Sequence, residues 1–99
     1  MGSRTADNHA LLLKELNEER LAALTRISGT LESLITQLQQ LRERIPAGHA
    51  SARERDLATY RQLRQRARKY RWYLEVQREA LGMRQHRILD QVFVIPGPL

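Results

Sequence analysis

Between Tyr60 and Trp72 stand Arg61, Arg64, Arg66, Arg68, Lys69 and Arg71, with no acidic residue among them. At helical spacing Arg61, Arg64, Arg68 and Arg71 share one flank, Arg78 lies near the same line, and Tyr60, Tyr70, Trp72 and Tyr73 are interleaved with them. Guanidinium groups match phosphate geometry and stack on bases and rings. Arg61, Arg64, Arg68, Lys69 and Arg71 are therefore the candidate phosphate-binding set. A plainer role competes with it. Arginine is a good helix former, and Glu15, Glu18, Glu19 and Glu32 upstream offer opposite charges for pairs between helices. No zinc-finger spacing, RNA-binding aromatic motif or basic-zipper order accompanies the run. Nucleic acid is thus the alternative partner rather than the first expectation.

Catalytic chemistry has little to work with. The histidines are His9 near a helix start, His49 in a turn, and His86, which stands four residues before Asp90. An i, i+4 His–Asp pair orients an imidazole, but its commoner role is a surface contact near a helix end. HExxH, Glu-x-x-His, a glycine-rich phosphate loop and Gly-x-Ser-x-Gly are all missing from the sequence. With no cysteine, disulfides and thiolate chemistry are excluded. No cofactor or metal is expected, and no enzymatic activity.

The elements that would position these residues are helical. From Leu24 the apolar residues run Leu24, Ile27, Leu31, Leu34, Leu38, Leu41 and Ile45, alternating three and four apart, the seam of a coiled coil. The spacing predicts a helix over 7–45, capped by Asp7 or Asn8, after a flexible stretch at 1–6. Gly29 falls on the polar face and leaves the register unbroken. Pro46 and Gly48 predict a turn over 46–50. Ser51-Ala52-Arg53-Glu54 spells a capping box for a second helix over 51–81, with 83–90 also helix-compatible. Its seam is Tyr60, Leu63, Ala67, Tyr70, Leu74, Gln77 and Leu81. So short a connection makes the helices antiparallel neighbours, placing Leu38 near Leu57 and Ala58, Leu31 near Leu63, Ile27 near Tyr70 and Leu16 near Leu81. The domain spans 7–91, and residues 92–99 form an extended apolar, proline-bearing tail.

Polar residues interrupt both seams. Asn17 and Arg20 on the first and Gln77 on the second occupy places where a core would favour leucine. Buried polar seam residues set register or partner choice at a cost in stability. The second helix also has a second apolar group, Trp72, Tyr73, Val76, Ala80 and Met83, roughly opposite its seam. A helix apolar on two faces is normally covered on both. Three covers are available: the tail with Phe93 and Ile95, a second copy, or another protein. A homodimeric four-helix bundle is the simplest.

The expectation is an all-α antiparallel hairpin, coiled-coil-like, that acts as an adaptor, scaffold or chaperone-like assembly module. Its interface would comprise Tyr70, Trp72, Tyr73, Val76, Ala80, Met83, Phe93 and Ile95. The net charge of +6 permits an acidic partner without requiring one. No run reaches the roughly 18 to 20 apolar residues of a membrane span, and Met1 to Ala10 lacks the basic-then-apolar order of a signal peptide. A cytoplasmic location follows as the default.

Overall fold

The computed structural model describes residues 2–99. Two long helices, α1 (Gly2–Arg44) and α2 (Ala50–Ala80), run antiparallel, joined by a 3-10 turn at Ile45–Ala47, and a short helix α3 (Arg87–Val92) follows. Among the described residues there is no strand. The molecule measures 74 × 22 × 14 Å.

The heptad leucines of α1 make the hairpin. Leu31, Leu34, Leu38, Leu41 and Ile45 are all buried, and each such side chain contributes roughly 1.5 to 3 kcal/mol once covered. On α2 the buried residues are Tyr60, Ala67 and Leu74, at intervals of seven, with Leu63 and Tyr70 half-buried between them. The expected seams are therefore the ones that meet. Ile35, beside the α1 seam, is buried as well, and Leu89 of α3 joins the same core.

Boundaries differ from the sequence expectation in several places. Residues 2–6, expected to be flexible, belong to α1, so Asp7 and Asn8 lie inside the helix rather than capping it; the expectation for Met1 lies outside the described residues. The capping box does not form. His49 occupies the cap position of α2 without a side-chain bond to the helix, and Ser51 lies one residue inside. The turn is held by Arg53 instead, whose Nη2 donates to the carbonyls of Gly48 (3.2 Å) and Pro46 (3.5 Å). A single guanidinium nitrogen reaching two carbonyls of the turn is a different device from the Ser–Glu exchange, which would pair backbone N–H groups.

Gly82 ends α2. At φ +86° it takes the left-handed position that favours glycine. The amide of Met83 donates to the carbonyl of Arg78 (2.9 Å) and that of Gly82 to Glu79 (2.9 Å), the double bond of a Schellman cap. The helix-compatible stretch after it is split: 83–86 is irregular, and helix resumes only at Arg87.

The helices also pair a few residues out of the expected alignment. Arg44 forks onto Asp56 with both contacts near 3 Å, and at the far end Arg20 Nη1 donates to the carbonyl of Ala80 (3.1 Å). Between these two contacts Leu31 comes level with Tyr70 rather than Leu63. The reversal is centred on 49–50, because the chain rises through the 3-10 turn before it bends. As a result α2 stops at the level of Arg20, and residues 4–19 of α1 extend past it as a bare helical arm about 24 Å long at 1.5 Å per residue.

Candidate interaction surface

Residues 93–99 return towards the turn along the groove between α1 and α2. Three arginines of α2, spaced by seven and hence on one line of the helix, fasten the whole C-terminal segment. Arg78 Nη2 donates to the Gln85 carbonyl (2.9 Å), Arg71 Nη2 meets Asp90 Oδ1, and Arg64 Nε donates to the Pro96 carbonyl (3.0 Å). Arg71 is itself steadied by Glu75 (2.8 Å). From the α1 side Arg42 Nη1 reaches the Gly97 carbonyl (3.3 Å), which also accepts from the hydroxyl of the buried Tyr60 (2.6 Å). Phe93 and Ile95 pack against the hairpin's own core. The sequence places both in the partner interface; the structure turns them inward, half-buried.

The candidate phosphate set is divided by this arrangement. Arg64 and Arg71 hold the returning segment, and Lys69 lies over the Tyr73 ring, 5.9 Å from its centroid. Arg61 and Arg68 are exposed, as is Arg66, and among the described residues these three make no ion pair or side-chain hydrogen bond. Arg64, Arg68, Arg71, Trp72, Glu75 and Ile95 line an open cleft of about 320 Å³.

The aromatic group on the outer side of α2 is partly uncovered. Tyr70 links core to surface: its ring meets Tyr73 edge-on at 5.5 Å, and Tyr73 meets Trp72 at 5.6 Å. Edge-to-face pairs at such distances are favourable. Trp72 remains 58% exposed, Val76 41% and Met83 40%, and Ala80 is exposed too. Trp72 borders the tail, lining one cleft with Ile95, Arg64 and Arg71, and Met83 lines a groove with Val92 and Phe93; with the C-terminal segment in place both keep open surface.

Chain against chain, no protein-family model, no curated protein and no solved structure matches this sequence. The surface must therefore be read from its own chemistry.

The seam polar residues do not converge. Asn17 is exposed on the arm; Arg20 caps the end of α2 through Ala80; Gln77, half-buried, lies about a turn back from that contact. A guanidinium at a helix C-terminus satisfies a terminal carbonyl and complements the helix dipole, and Arg20 makes that contact within one chain. The expected His86–Asp90 pair is absent, because the two residues are not on one continuous helix. His86 Nε2 lies 3.0 Å from Glu79 Oε1, and Asp90 belongs to Arg71. Among the described residues no cluster of three metal-ligating side chains occurs, and no helix is long and apolar enough to cross a membrane.

One feature of the surface is hidden by the expected alignment. Leu11, Leu12, Leu13, Leu16 and Leu21 are all exposed. That alignment pairs Leu16 with Leu81, but α2 ends too soon to reach it. The signal is present in Gly82, since a helix stopped there leaves the first leucines of α1 without a neighbour.

Proposed function

We propose that the chain is a non-enzymatic interaction and assembly module that binds through Trp72, Tyr73, Val76 and Ala80 of α2 together with Met83 just past its end, and that it pairs with itself. The observation that carries this reading is the exposure of Trp72 at 58% one turn from the exposed Val76, although the C-terminal tail is already seated in the groove beside it. Contiguous apolar surface rimmed by polar groups marks interaction sites, and tryptophan with arginine is enriched where binding energy concentrates. Tyr73 packs against the Trp72 ring at 5.6 Å, a contact that lowers the ordering cost of docking.

Sedimentation velocity on the full chain at tens of micromolar tests it. A dimer is expected, weakened by Trp72→Ala and Val76→Ser with helical content unchanged. A strict monomer removes self-pairing from the proposal.

The exposed Arg61, Arg66 and Arg68 favour a second reading, contact with nucleic acid phosphates. It is the weaker of the two, because Arg64 and Arg71 are already engaged with the chain itself.

A further inference from the structure

We infer that the trough between α2 and the returning tail is a site for single-stranded nucleic acid, with Arg61 and Arg68 on phosphates and the Trp72 indole stacked on a base. This rests on the second reading above and names the form of strand. Two open clefts make the trough. One, of about 320 Å³, is lined by Arg64, Arg68, Trp72 and Ile95; the other, of about 340 Å³, by Arg61, Arg64, Arg68 and Leu99. They share Arg64 and Arg68 and so adjoin, with α2 as one wall and the tail as the other.

The charge of the trough is one-sided. From Leu57 to Leu74 the sequence has six cationic side chains and no carboxylate, and Glu75 at the trough's end is held by Arg71 (2.8 Å). Arg61 and Arg68, two turns apart on one line of the helix, are exposed and make no ion pair among the described residues. Arg64 donates through Nε to the Pro96 carbonyl (3.0 Å) and so fixes the tail wall. One turn beyond Arg68 stands Trp72, 58% exposed. From Arg61 to Trp72 the helix rises about 16 Å at 1.5 Å per residue, room for a few nucleotides. Free guanidinium groups leading to an open aromatic plate suit a strand whose phosphates and flat bases alternate. A duplex keeps its base faces inside and meets only the arginines at the rim. An acidic peptide pairs with the arginines, but its carboxylates bring no ring to the indole. Self-pairing would cover the same indole, so strand and second copy exclude each other there.

Trp72 is the chain's single tryptophan, so its fluorescence reports on this site alone. The full chain at low salt is titrated with an oligothymidylate of about 8 nucleotides, an abasic strand of the same length, a matching duplex, and polyglutamate. Saturable quenching by the oligothymidylate, reversed by added salt, is expected. The abasic strand should bind at least tenfold more weakly, and neither it nor the duplex should quench. Anisotropy of a labelled oligothymidylate reads the variants. Trp72→Leu and R61Q/R68Q should each weaken binding tenfold or more with helical content unchanged. R26Q/R84Q, which removes the same charge from exposed positions outside the trough, should have little effect. Strand binding without quenching, or equal losses in R61Q/R68Q and R26Q/R84Q, overturns the trough site and leaves phosphate contact standing. Polyglutamate bound as tightly as the oligothymidylate overturns it in favour of an acidic protein. If neither strand nor duplex binds, the site and the reading beneath it both fall.

Discussion

The hydroxyl of Tyr60, with no exposed surface, donates to the carbonyl of Gly97 across 2.6 Å. This bond joins the middle of the hairpin to the end of the returning tail, and its acceptor is shared with Arg42. Tyr60→Phe keeps the ring and its packing but removes the donor. A net loss of about 1 kcal/mol is expected, read as a lower urea midpoint with unchanged slope. Hydrogen exchange of tail amides should quicken more than that of α1. An unchanged midpoint together with unchanged tail exchange would show that the bond does not hold the tail.

Two glycines should respond in opposite directions. Gly29 sits in the exposed middle of α1, and a Cβ built there meets nothing within 4 Å. Gly29→Ala should stabilise by about 0.5 to 1 kcal/mol, the helix-interior difference between the two residues. Gly82→Ala forces a side chain onto a φ of +86° and should cost about 1 to 2 kcal/mol. Thermal melts of the two variants, run side by side, should bracket the wild type. If both shift the same way, the ending assigned to α2 is wrong.

The hairpin is legible in the sequence because its determinants are local: the three-four alternation from Leu24 to Ile45, the Pro46 break, and the recurrence of Tyr60, Ala67 and Leu74. What escapes depends on distance. Nothing local shows that Arg53 will hold the turn in place of Ser51, since the carbonyls it reaches are brought to it by the fold. Arg64, Arg71 and Arg78 recur every seven residues, a pattern visible in the sequence, but their acceptors lie in residues 85–96 and become partners only after Gly82 turns the chain. An arginine line thus reads as a phosphate surface until the tail that occupies it is located. The same shift of register hides the bare leucines of the arm. An offset of a few residues in the reversal leaves the seams intact and changes which end is covered.

The division among the arginines makes a quantitative distinction. If nucleic acid binding occurs, Arg61, Arg66 and Arg68 should carry it, because Arg64 and Arg71 have partners within the chain. R61Q/R66Q/R68Q should then reduce duplex affinity and lower the salt slope by about 3, near 0.9 for each phosphate no longer neutralised, without a change in melting. Arg64→Gln should do the reverse, loosening the tail with little effect on the slope. Binding measured at two salt concentrations separates the cases, and an assembly module with no phosphate site shows weak binding that none of the substitutions alters selectively.

Removal of residues 93–99 tests whether the tail is part of the fold. Phe93 and Ile95 are half-buried against the core, and the truncation also takes away the acceptors of Tyr60, Arg42 and Arg64. Partial burial of two large side chains accounts for roughly 2 to 4 kcal/mol, a large share of what a small domain normally has. The truncated chain should keep most of its helical signal but melt broadly and bind a hydrophobic dye, since Tyr60, Ile35 and Leu89 lose part of their cover. A sharp melt at the wild-type temperature, with no dye bound, would instead mark the tail as a passenger on a hairpin that is complete without it.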